Sequence, residues 1–407
     1  MQLDTDFVRA QFPAFQEPAL RDKAFFENAG GSYMCRYVYW RLRRFYRERK
    51  VQPYAPYHAS LLAGDEMDEA RERLARMMGV STDEVSFGPS TTANVYVLAQ
   101  AFGQWLTSGD AIIVTNQDHE ANTGAWRRLA ARGIEVREWQ IDPQTGHLDV
   151  DALKNLIDEK VKLLCFPHCS NVIGQINPVA EICKLARSEG IFTCVDGVSY
   201  APHGIPNVNK LGADIYLFSG YKTYGPHQGV MVIGRDLGML LPNQGHDFNG
   251  TTLYQRFTPA GPDHAQVAAC AGIADYYDAV YAHHYKAGRD GAGRCDCVNT
   301  LFQAQETALM QPLLDYLSGR NDLRLLGPPH AKDRAPTIAL DLGRSGEQAA
   351  RQLNAHGIMA GGGDFYAVRP LAAMGVDLDQ GVLRLSFVHY NTQQEVDRLI
   401  DALDQTL

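Results

Sequence analysis

Two side chains able to do covalent and proton chemistry each close a short apolar run. IFTCV (191–195) leads into Asp196, and DIYLF (214–218) is followed by Ser219, Gly220, Tyr221 and Lys222. Runs of this length, bounded by Gly and polar residues, predict strands buried on both faces. In open α/β sheets, ligands gather at the carboxyl ends of such strands. A carboxylate and an amine therefore face one crevice.

A lysine beside a low-dielectric crevice has a lowered pKa and can form a Schiff base, while an aspartate at a neighbouring strand end can hold a pyridinium nitrogen protonated. These are the two demands that pyridoxal phosphate makes as an electron sink. Either residue alone is better explained structurally, so the pair gains meaning only with a phosphate site. Ser90, Thr91 and Thr92 offer one. They follow EVSFG (84–88) and open the helix VYVLAQAF (95–102), where N–H groups, hydroxyls and the helix dipole converge; the alternative is an ordinary N-cap. His119, after the strand AIIVT (111–115), can stack on an aromatic cofactor and exchange protons at its edge, although a loop histidine is often inert. Arg384 sits inside the apolar run VLRLSF (382–387) and needs a carboxylate, either the protein's own or a substrate's.

The elements that position these residues alternate. Strands are predicted at 84–88, 111–115, 134–141, 162–166, 191–195, 214–218 and 229–233, with helices at 122–132, 150–159 and 179–189 between them. Such alternation implies right-handed crossovers and one large α/β domain with a mostly parallel sheet covered on both faces. Before it, a short helix over 4–13, the glycine turn of KAFFENAGGS (23–32), a helix over 36–50 with a basic face and a charged helix over 65–78 capped by Gly79 are predicted. The basic face reads as solvated or as a channel or subunit surface. After Gly261 a long helix leaves the domain, AGRDGAGRC (287–295) is a Gly/Arg-rich break, and helices at 299–317, 346–356 and 392–406 with strands between them predict a smaller α+β domain. The expected division is 16–265 for the large cofactor-binding domain, and 1–15 with 266–407, including the interdomain helix, for the small one.

The 407 residues are 45% hydrophobic and carry a net charge of -9 without long like-charge blocks, which argues against a nucleic-acid or anionic-membrane surface and for a small-molecule partner. No apolar run approaches the roughly 20 residues of a membrane span, and MQLDTDFVRAQFP lacks the form of a signal peptide, so a cytoplasmic protein is expected. The cysteines are scattered, several inside strand-like runs, as reduced buried thiols would be. Cys295 and Cys297 are the only close pair, with no second pair nearby, so no metal site is expected.

In order, FFENAGGS, STTANVYVLA, DHEAN, SNVIGQINPV, VDGVSYAPH, SGYKTYGP and LRLSFVHYNTQQEVDRL resemble the class V aminotransferase family of pyridoxal phosphate enzymes over nearly the whole chain, in particular its cysteine desulfurase and selenocysteine lyase branch. The resemblance implies fold type I: a mostly parallel seven-stranded sheet between helices, with a smaller α+β C-terminal domain. It implies that Lys222 is the Schiff-base lysine, Asp196 the pyridinium partner, His119 the ring stacked on the cofactor, and Thr91, Thr92 and Ser219 the phosphate contacts. Asn171, Ser199 and Tyr221 lie near the cofactor. Arg384 holds the substrate α-carboxylate, with Asn28 and Tyr366 beside the substrate. Asp364 and Arg369 are further loop candidates for substrate contact. A homodimer with a shared active site is implied as well.

The sequence departs from that branch in one decisive place. Cysteine desulfurases carry a nucleophilic cysteine in the loop matching 357–371, but here GIMAGGGDFYAVRPL has none, and Phe365 or Tyr366 stands near its place. A thiolate is needed to attack substrate sulfur and hold a persulfide. Ser199 replaces a glutamine, Tyr221 replaces a histidine, and Gly261-Pro262-Asp263 replaces a Gly-Thr-Pro that reaches the partner's phosphate. The expected activity is therefore β-elimination of a thiol or sulfide from a cysteine-like amino acid by a C–S lyase, with transamination or epimerisation as the alternative.

Overall fold

The computed structural model describes residues 1–286 and 288–407. The β-branched runs that dominate the middle of the chain form strands whose residues are almost all buried. They are β2 (Val85–Gly88), β3 (Ala111–Thr115), β4 (Glu135–Trp139), β5 (Val161–Pro167), β6 (Phe192–Asp196), β7 (Ile215–Ser219) and β8 (Gly229–Ile233), following a two-residue β1 (Ala24–Phe25). The seven make one sheet in the order β2-β8-β7-β6-β5-β3-β4. β4, β3, β5, β6 and β7 run parallel, β8 alone is reversed, and β2, antiparallel to β8, shares the direction of the other five. The parallel strands thus deliver Thr115, Pro167, Asp196 and Ser219 to one edge of the sheet. The edge strand β4 is the least buried of the seven, as one-sided cover requires.

Strands β9 (Arg324–Leu326), β10 (Thr337–Asp341), β12 (Gly361–Gly363) and β13 (Val382–Ser386) form a second, antiparallel sheet in the order β12-β13-β10-β9. The short strand β11 (Ile358–Met359) pairs in parallel with β1, and Glu27 bridges to Ser386. The segment after β1 is thereby stitched to the strand that carries Arg384. We propose that the chain divides as 16–265 and 1–15 with 266–407, the first part holding the seven-stranded sheet.

Several predicted elements differ. The helix expected over 150–159 spans only Val150–Lys154, because the Leu156 carbonyl turns aside to accept from Arg137 Nη1 at 2.7 Å. The predicted 122–132 helix becomes Glu120–Arg127 followed by a 3-10 turn. The predicted 4–13 helix shortens to Thr5–Arg9, with a 3-10 turn at Pro13–Gln16. Ala287 of the predicted break at 287–295 lies outside the described residues, and residues 291–295 are helical. Asp290 accepts from the Gly293 N–H at 2.7 Å and caps the helix Gly291–Ser318, so a good N-cap outweighs two glycines of poor propensity. Glycine suits position 291, since a Cβ there would lie 3.1 Å from Arg76 Cβ.

The basic face of the helix Arg36–Glu48 is partly paired. Arg41 binds Glu69 and Asp275, and Arg44 binds Glu66, on the neighbouring helices His58–Met78 and Ala271–His284. Cys295 is buried and points at the Ile205 carbonyl. Among the described residues no His, Cys, Asp and Glu cluster could hold a metal ion, and no helix is long and apolar enough to cross a membrane.

Candidate active site

At the carboxyl edge of the parallel strands lies a cavity of about 310 Å³. Thr91, Thr92, His119, Asn171, Asp196, Ser199, Ser219, Tyr221 and Lys222 all line it. Lys222 ends a 3-10 turn directly after β7, and Ser32 holds that turn: its Oγ donates to the Lys222 carbonyl at 2.8 Å and accepts from the Tyr224 N–H at 3.0 Å. The Lys222 ammonium has no hydrogen-bond or ion-pair partner among the described residues. Burial first, and the Arg384 charge second, push its pKa down to about 8.

Asp196 closes β6. One carboxylate oxygen accepts from the Val198 N–H at 2.8 Å, and the other takes no hydrogen bond from the described residues. Burial raises its pKa to about 6 against the pull of the Val198 N–H and of Lys222. His119 caps the helix Glu120–Arg127, its Nδ1 accepting from the Ala121 N–H at 3.0 Å, so the neutral ring carries its proton on Nε2. Burial, then Lys222 and Arg384, lower its pKa to about 3.

Ser90 caps the fifteen-residue helix Thr91–Trp105, its hydroxyl accepting from the Ala93 N–H at 3.1 Å. The first N–H groups of a helix have no acceptor within it, and here they open on the cavity beside the Thr91 and Ser219 hydroxyls, 2.8 Å apart. A Cβ at Gly229 would sit 2.4 Å from the Ser90 carbonyl carbon and 2.7 Å from Thr91 N, so only glycine lets β8 approach this cup. Asn171 donates to the Phe365 carbonyl at 2.9 Å and leaves its buried Oδ1 without a partner.

The three predicted substrate residues lie outside this lining. Asn28 is spent on structure, donating to the Phe25 and Ser386 carbonyls and accepting from the Tyr390 hydroxyl. Tyr366 is 70% exposed, its ring 5.3 Å from that of His119. Arg384 lies behind Asn171, donating to its carbonyl at 3.0 Å, and binds Glu27 at 2.5 Å under the Phe365 ring. Of the two partners its sequence position leaves open, the resting protein uses its own carboxylate. Arg369 faces Glu120 at 3.6 Å, Asp364 caps its own loop through the Tyr366 N–H, and Asp263 caps the helix His264–Ala269.

Sequence reasoning missed four neighbours. Asp118 is buried and accepts from Thr115 and Asn122, and burial beside Asp196 raises its pKa. His227 stacks on Tyr221 at 4.7 Å. Cys169 lines the cavity, and burial pushes its thiol up to about 12. Glu27 is the fourth. Adjacency to His119 and Asn28 was the available signal for Asp118 and Glu27.

The model of the class-V aminotransferase family matches residues 24–264 and 299–399. The chain belongs to the class-V aminotransferase family. It is 32% identical to a cysteine desulfurase of Serratia proteamaculans, covering 100% of this chain and 98% of that protein. It is 31% identical to the aminotransferase-like protein FGM3 of Gibberella zeae over 98% of each. Among solved structures, the apo cysteine desulfurase of Thermococcus onnurineus superposes with a TM-score of 0.85 at 25% identity, covering 100% of this chain and 98% of that one. The cysteine desulfurase CsdA of Escherichia coli gives 0.82 at 24% over 100% and 99%. The fold is that of fold-type-I pyridoxal phosphate enzymes, and this member of the class-V aminotransferase family is a pyridoxal-phosphate-dependent enzyme.

The cavity fits that cofactor. A helix N-terminus with two hydroxyls suits a phosphate, a buried carboxylate with an unpartnered oxygen suits a pyridinium nitrogen, and an unpartnered amine suits the aldehyde. In the loop that carries them over the cavity, Phe365 and Tyr366 adopt left-handed backbone, with φ of 53° and 57°. Two adjacent non-glycine residues there mark stored strain.

Proposed function

We propose that this enzyme is a β-eliminating lyase of the C–S type acting on a cysteine-like amino acid. One observation carries the reading: the Lys222 amine lines the cavity with no partner among the described residues, while Cys169, the cysteine on that lining, turns its Sγ away to the Ser170 and Gly174 carbonyls and is held as the thiol by burial.

Thr91, Thr92 and Ser219 would hold the cofactor phosphate, Asp196 the ring nitrogen, and Ser199, Tyr221 and Asn171 the remaining ring edge, with His119 against the ring. Pyridoxal phosphate, when bound, withdraws electrons from the α-carbon of the amino acid attached to it. Asp196 keeps that withdrawal strong by pairing with a protonated ring nitrogen. His119 stays neutral and so adds a flat apolar surface without competing charge. Arg384 takes the α-carboxylate, with Tyr366 at the mouth. Lys222 removes the α-proton; the Cβ–S bond then breaks with its electron pair leaving on sulfur, which takes a proton to depart as a thiol or sulfide. The remaining three-carbon enamine reacts with water to give pyruvate and ammonia.

We propose a homodimer, supported by the half-exposed aromatic residues Tyr39, Trp40 and Tyr46 on the helix Arg36–Glu48 and Tyr54 and Tyr57 in the loop that follows it. A cytoplasmic setting is supported by eight free cysteines, as a reducing compartment keeps them.

The test is product analysis with a panel of cysteine derivatives. Pyruvate and thiol released in equal amounts, and lost in Lys222→Ala, are the expected result. A keto acid retaining its side chain, or a D-amino acid, would move the assignment to transamination or epimerisation, which share the proton step at Lys222.

A further inference from the structure

We propose that Glu27 is a specificity-determining residue: in the resting protein its carboxylate holds the place on Arg384 that the substrate's α-carboxylate takes, and substrate binding displaces it. This rests on the reading of Arg384 as the carboxylate clamp.

Arg384 Nη2 donates to Glu27 Oε1 at 2.5 Å and Nη1 to the Asn171 carbonyl at 3.0 Å, while the Phe365 ring lies 3.7 Å from the guanidinium carbon. The pairing is incomplete on both sides. Arg384 Nε and Glu27 Oε2 are each buried without a partner among the described residues. A guanidinium binds a carboxylate best through two parallel N–H bonds, and Glu27 provides for only one. An incoming α-carboxylate can offer both. The displaced Glu27, whose side chain is already 26% exposed, regains water on its oxygens.

The surroundings leave room for this resting contact. Gly361 stands opposite Arg384 across β12 and β13, and a Cβ there would come within 2.9 Å of Glu27 Oε2 and of the Phe365 ring. A Cβ at Gly30 would lie 2.8 Å from Glu27 Oε1. Any side chain at either position would crowd Glu27 where it rests on Arg384. Glu27 is thus an internal competitor, and the competition is felt only by ligands that carry a carboxylate.

The experiment compares L-alanine with ethylamine, the same amine without the carboxylate, binding to the holoenzyme by titration calorimetry. Glu27→Gln removes the charge, and Glu27→Asp shortens the reach to Arg384. Both should bind L-alanine about tenfold more tightly, equivalent to about one charge-assisted contact, and leave ethylamine unchanged. In turnover, KM for the amino-acid substrate should fall more than kcat changes. Cofactor absorbance and melting temperature check that each variant is folded and loaded. L-alanine affinity unchanged or weakened in both variants overturns the displacement. The clamp is tested separately: an Arg384→Lys variant that binds L-alanine as well as the parent overturns the clamp reading itself, and with it this proposal.

Discussion

The Thr91 and Ser219 hydroxyls meet at 2.8 Å, although one opens a helix and the other closes β7. Both hydroxyls line the cavity, where a phosphate would meet unpaired helix N–H groups. Thr91→Val and Ser219→Ala should each weaken pyridoxal phosphate binding to the apoprotein about tenfold, as loss of one hydrogen bond to a charged group does. Fluorescence titration of the apoprotein gives the constants. Unchanged binding in both variants would move the phosphate elsewhere.

Lys222 should leave its mark on the stability of the apoprotein. Its folded pKa is about 8, with burial as the main cause, whereas a lysine in the unfolded chain titrates near about 10.4. Between those values the unfolded chain holds a proton that the folded chain has released, so folding becomes more favourable as pH rises through this window. Below about 8 both states are protonated and the whole penalty is present, on the order of 3 kcal/mol. Lys222→Met removes it. Urea unfolding of the apoprotein from pH 7 to 10 should show the variant more stable at pH 7 and the gap closing toward pH 10. A constant gap would mean that the amine is not charged and buried in the resting protein.

How far the site could be read from sequence depended on distance along the chain. Asp196 and Lys222 were legible because each directly follows a buried apolar run, and the phosphate cup because hydroxyl residues between a strand and a helix announce an N-terminus. The seven-stranded sheet was legible for the same reason: its strands are long enough to show as runs. Arg384 was legible as a residue in need of a carboxylate, but its resting partner was not. Glu27 reaches it through β1 and β11, two residues each, too short to leave a pattern. The left-handed backbone at Phe365 and Tyr366 was hidden because neither residue type favours it. The helix beginning at Gly291 was hidden because its cap, Asp290, lies among residues that otherwise signal a break.

His119 is expected to act without titrating. Its Nδ1 is held by the Ala121 N–H at 3.0 Å, and adding a proton there would break the helix cap and place a buried cation near Lys222 and Arg384. With a pKa of about 3, the ring stays neutral across the working range, so its imidazole signals in nuclear magnetic resonance should not shift between pH 5 and 8, and no limb near about 6.5 in the rate profile should belong to it. Two substitutions separate its two roles. Asn keeps the cap and loses the aromatic face, while Phe keeps the face and loses the cap, at about 1 kcal/mol of stability. If the face is what serves the cofactor, His119→Asn should lose more cofactor affinity and kcat/KM than His119→Phe, and His119→Phe should lose more in melting temperature. The reverse order in kcat/KM, or a ring titrating near 6.5, would make the proton on Nε2 the working part.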